Sequence, residues 1–152
     1  MSSPVVTRTH HGAAVAKLML VGYLLFVGFT VWLPATVSAK VTGLVGIIAH
    51  WVADAGIASF QRSAFVLEIL ANVALFVPVG LLLLLAFPRL RVWQAVVVGG
   101  LMSLLIEGVQ ALMPTRIPAV SDLIANTSGT LIGALIVAVI LALAGVRRAS
   151  TR

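Results

Sequence analysis

Runs of apolar residues long enough to cross a bilayer, punctuated by single cations, constrain this chain more than any other feature. A helix spanning ~30 Å of hydrocarbon needs about 20 mostly apolar residues. Four stretches meet that length: LMLVGYLLFVGFTVWLPATV directly after Lys17, then residues 66–87, 92–113 and 121–146. The stretch VTGLVGIIAHWVADAGIA (41–58) is apolar as well, but His50 and Asp54 leave it a short clean run. That length suits an interfacial or re-entrant helix better than a span. Composition agrees, with 61% hydrophobic and 9% charged residues, against ~45–50% and ~25% in soluble domains. The expected fold is all-α: a polytopic membrane bundle of four transmembrane helices, with a short interfacial or re-entrant helix after the first.

The cations orient such a bundle. If four helices alternate, Arg8, Lys17, Arg89, Arg91, Arg147, Arg148 and Arg152 share one side, and Lys40, Arg62 and Arg116 the other. The positive-inside rule then places both termini in the cytoplasm. The chain divides into a cytoplasmic tail (1–16), a transmembrane domain (17–146) and a second tail (147–152). A competing reading treats the basic leader, the first apolar run and VSAK at 37–40 as a cleaved signal peptide. The length of that run, with Trp32 and Pro34 at its end, argues against cleavage, and the later spans keep their orientation either way. The net charge of +6 comes from residues flanking apolar runs, so nucleic acid is not an expected partner. Cysteine is absent, which removes disulfides and thiolate chemistry. The three histidines, His10, His11 and His50, form no metal-ligand spacing. No metal or cofactor is expected. His50 beside Trp51 reads as an interfacial anchor.

Polar residues inside the spans are more telling. Glu68 and Asn72 open the second span, four apart and on one face. Glu107 and Gln110 close the third, three apart and also on one face. Asp122 and Asn126 open the fourth, with Gly129 and Gly133 continuing their stripe. All therefore belong to the half of the bundle opposite the basic side, and Arg116 lies in the loop between the last two spans. Each has a plainer reading too. Asp122 after Ser121 suits a helix N-terminus, Glu68 suits a membrane boundary, and the asparagines suit bonds between helices. Glu107 is harder to dismiss. It lies about 10 Å below Arg116 along a helix, where an ionisable group is costly unless paired or hydrated. Arg116 is its expected partner, for a ligand site or for a structural ion pair. GTLIG (129–133) has the spacing that lets backbones approach, within the chain or between copies. Pro78 removes a backbone donor and is expected to kink its helix, with Gly80 giving room for the bend.

These elements together resemble the VanZ-like membrane proteins. The resemblance rests on NVALFVPVG (Asn72, Phe76, Pro78, Gly80), EGVQ (Glu107, Gln110), Arg116 and DLIANTSGTLIG (Asp122, Asn126, Gly129, Gly133), through about residues 70–135. RIPAVSD departs from it, being less polar after the arginine than is usual in the family. The resemblance implies a small helical bacterial inner-membrane protein, in a family whose founding member is associated with resistance to the lipoglycopeptide teicoplanin. It implies no established reaction.

The residues therefore suggest a site for an envelope amphiphile at the outer leaflet. Candidates are a membrane phospholipid, a lipid-linked wall precursor or a lipoglycopeptide, bound by Asn72, Glu107, Gln110, Arg116, Asp122 and Asn126. Phe76, Pro78, Gly80, Gly129 and Gly133 would shape the bundle around it. Two alternatives stand beside this: an intramembrane enzyme using Glu107 and Asp122 as acid and base, and a structural subunit or homo-oligomer held by the polar layer and the glycines.

Overall fold

The computed structural model describes residues 4–32, 35–113 and 119–150, and the described residues are arranged as five helices without strands. They are α1 (Pro4–Trp32), α2 (Ala35–Asp54), α3 (Phe60–Ala86), α4 (Val92–Gln110) and α5 (Val120–Ser150). Among the described residues, four segments are long and apolar enough to cross a membrane: His11–Thr30, Phe60–Ala86, Val92–Gln110 and Val120–Ala144. The chain is a multi-pass helical membrane bundle, with a further apolar helix after the first span. Large apolar side chains such as Leu18, Phe29, Leu105 and Leu143 face outward, where lipid is their natural solvent.

Two boundaries differ from the sequence expectation. α1 begins at Pro4, inside the segment read as a tail, and Ala16 is buried. Basic residues at 8 and 17 do not stop a helix, because long cations place their charge in water from any helical turn. α2 extends over Ala35–Asp54, longer than the clean apolar run implied. Two residues beyond its end stands Gly56, whose φ of 69° lies in the left-handed region. There the Gly56 and Ile57 amides donate to the Ala53 and Val52 carbonyls, closing the helix with a glycine cap. The His50 and Phe60 rings, 4.4 Å apart, pin the turn into α3.

Relative directions follow from side-chain register. Lys17 lies over the Phe87 ring, 5.3 Å from its centroid, and the Tyr23 hydroxyl donates to the Leu75 carbonyl at 2.7 Å. Ascending α1 thus means descending α3, so the two are antiparallel. α3 and α5 are parallel: a Cβ at Gly129 would strike the Val73 carbonyl, and one at Gly133 the Val77 carbonyl. Gly80 of α3 lies equally close to the Thr130 carbonyl. The most extensive packing in the molecule is here. Lipid removes the hydrophobic incentive for helices to associate, so such backbone approach supplies the van der Waals contact that replaces it. The Gly129–Gly133 face is therefore occupied within the chain, and a dimer through that face would have to displace α3.

α4 is antiparallel to α5. Gly99 abuts the Thr130 side chain, Gly100 faces Thr127, and Ser103 meets Asn126. The bundle thus has two unlike ends. One carries Lys17, Phe87, Arg89 and Arg91; the other carries the α2–α3 turn and the link from α4 to α5. The apolar core of Leu20, Val27, Phe76, Val79, Leu83, Ala95, Ala134 and Val137 fills the space between. α3 runs without interruption through Pro78.

Candidate functional site

The end opposite the basic residues holds a concentration of buried polar side chains. Glu107 is 9% exposed, Gln110 8% and Asn126 5%, with Ser103 wholly buried. Glu107 and Gln110 share one face of α4 with Ser103, at i, i+4 and i+7, and that face meets α5. Asn126 and Thr130 answer from α5 at the same spacing. The Asn126 amide donates to Ser103 Oγ at 2.9 Å, joining the helices in the half of the bundle away from the basic end. One turn deeper, Thr130 Oγ1 donates to the Asn126 carbonyl at 3.0 Å. Below that level the seam becomes apolar, at Ala134 and Val137.

Glu107 is held by backbone. Its Oε2 accepts a hydrogen bond from the Ala119 amide at 2.9 Å. Ala119 directly precedes α5, and its carbonyl receives the helix's first bond, from Asp122 N at 3.0 Å. Its own N–H is one that a helix start leaves unmet. A carboxylate from α4 meets it, beside the positive end of the α5 dipole. The sequence pointed to Asp122 for capping. In the structure Asp122, in the first turn of α5, is half-buried and 3.4 Å from the Ser121 hydroxyl. The start of α5 thus carries one acidic residue in its own first turn and accepts a second from α4.

Asn72 reaches this level from α3. Its neighbour Val73 lies against Gly129, which sets Asn72 within about one helical turn of Asn126 in depth. It continues the stripe Leu75, Val79, Leu82 and Ala86, whose lower members are buried or partly buried in the core. Asn72 itself is half-buried, whereas Glu68, one turn further on, is exposed. Arg116, the expected partner of Glu107, lies outside the described residues; the partner seen for Glu107 is the Ala119 amide, three positions along the same link. Phe76 is fully buried, and Gly80, Gly129 and Gly133 form the α3–α5 contact.

Sequence reasoning passed over Ser103, Thr130 and Tyr23. Ser103 was within reach, because it precedes Glu107 by one turn, and Thr130 follows Asn126 by one turn. Tyr23 bonds to a main-chain carbonyl on another helix, for which a sequence carries no local sign.

A family model decides the relationship: VanZ/LLP1 matches residues 17–141, most of the chain. The chain belongs to the VanZ/LLP1 family. No curated protein and no solved structure matches it. The matched region takes in most of the first and last of the apolar spans found among the described residues, the whole of the two between them, and every residue of the polar cluster.

Proposed function

We propose that this VanZ/LLP1 protein binds the polar head of an envelope amphiphile at the outer leaflet of the bacterial inner membrane, with both termini in the cytoplasm. The ligand class is a membrane lipid, a lipid-linked wall precursor or a lipoglycopeptide such as teicoplanin, and a role in glycopeptide resistance follows from the last. The observation that carries this reading is the burial of Glu107, Gln110 and Asn126 together at one end of an otherwise apolar bundle. Intramembrane ionisable groups are costly and mark sites of function by default. Arg116 supplies the fork that a phosphate or carboxylate prefers, and Asn72, Gln110 and Asn126 supply both donors and acceptors.

One observation favours a structural reading instead: Glu107 already serves a backbone amide at the start of α5. The two readings part at Glu107→Gln, whose side-chain carbonyl still accepts from Ala119 but carries no charge. On the ligand reading, Glu107→Gln and Arg116→Ala each lose binding of a labelled lipid-linked precursor or teicoplanin, at normal membrane abundance. Normal binding and resistance in both variants would leave the polar layer a purely structural one.

A further inference from the structure

Asn126 carries a deficit that no other described residue repairs. Its amide nitrogen donates to Ser103 and its main-chain carbonyl accepts from Thr130. Its side-chain oxygen is buried with no hydrogen-bond partner. Polar groups this deep are normally paired, because an unmet one keeps the whole cost of losing water. One turn nearer the membrane surface lie Glu107 on α4 and Asp122 on α5. Among the described residues Oδ1 is thus an unused acceptor in this layer, and its complement is a donor.

We infer that Asn126 Oδ1 accepts a hydrogen bond from an O–H or N–H group on the bound head, so that the site selects amphiphiles whose heads carry such donors. This rests on the ligand reading above and sharpens it. The oxygen is covered in the structure, so the head reaches it by parting the side chains at the Asp122 end. A hydroxyl of a glycerol or sugar head and the ammonium of an ethanolamine head offer the same chemistry.

Matched lipids separate these sources. Purified full-length protein in detergent is incubated with dioleoyl phosphatidylglycerol against phosphatidylmethanol, and with phosphatidylethanolamine against phosphatidylcholine. Each pair keeps its net charge and chains and differs in hydrogen-bond donors, and retained lipid is counted by native mass spectrometry. The donor-bearing member of at least one pair is expected to be retained about tenfold better, and the responding pair identifies hydroxyl or ammonium. Asn126→Leu abolishes the preference, and Asn126→Asp, which keeps an acceptor oxygen there, preserves it. Equal retention within both pairs, or a preference that survives Asn126→Leu, overturns the inference. If equal retention is lost in Glu107→Gln, the ligand reading stands and only this inference falls; if the wild-type chain retains none of the four lipids, this inference falls and the ligand reading is decided by the binding of precursor and teicoplanin above.

Discussion

Glu107 shows how one side chain links fold and site. Its carboxyl group closes the amide that α5 leaves open at Ala119, so the start of α5 is tied to α4. Removing that acceptor strands a partly buried donor, at a cost of about 1–3 kcal/mol. Glu107→Leu is therefore expected to lower unfolding stability in detergent by that order, with Glu107→Gln close to wild type. Equal losses in both would mean that the charge, not the acceptor, carries the contact. The importance of Glu107 was legible from its depth in an apolar run. Its partner was not, because sequence gives the distance from Glu107 to Arg116 along a helix but not the path of the link. The pairing of Asn126 with Ser103 was half legible: the one-turn spacing exposes each stripe, but not which stripes meet.

Among the elements, α3 and α5 form the closest pair, and three glycines make their approach possible. A methyl group on Gly80, Gly129 or Gly133 would fall on main-chain atoms of the opposite helix, which cannot rotate away. Gly133→Ala and Gly80→Ala are each expected to cost about 1–3 kcal/mol or more through overpacking. Gly108 and Gly46, also helical, meet nothing within 4 Å of an added Cβ. Gly108→Ala and Gly46→Ala should be neutral, or stabilising by up to about 1 kcal/mol from helix propensity. Thermal unfolding of the four variants checks this, and equal effects would contradict the seam. The GTLIG spacing marked a smooth face without saying what covers it, since a second copy and a helix of the same chain satisfy it equally. Gly80 was read as room for a bend beside Pro78; the structure adds the Thr130 carbonyl as a constraint. The extra length of α2 was hidden for another reason: Lys40, His50 and Asp54 interrupt hydropathy without interrupting helix.

At the scale of the whole molecule, the alternation of spans and the segregation of charge were both legible, because apolar length and flanking cations are properties of the sequence alone. The parallel pairing of α3 and α5 around an antiparallel α4 was not, as it depends on which helices touch. That arrangement brings Asn72, Glu107, Gln110, Asp122 and Asn126 to one end and Lys17, Arg89 and Arg91 to the other. The chain lacks cysteine, so single replacements report sidedness cleanly. Gly12→Cys and Arg89→Cys should react with an impermeant maleimide from one side of the membrane, and Gly56→Cys and Leu112→Cys from the opposite side. Labelling of Arg89→Cys and Leu112→Cys from the same side would contradict the arrangement.

The most direct test of a head-binding site at the acidic end is a cryo-electron microscopy map of the protein in nanodiscs made from bacterial lipid extract. A head group is expected in density against Glu107, Gln110 and Asn126, with its tails running along the apolar wall below. A head group bound instead among Lys17, Arg89 and Arg91, with the acidic end closed by protein side chains alone, would contradict it.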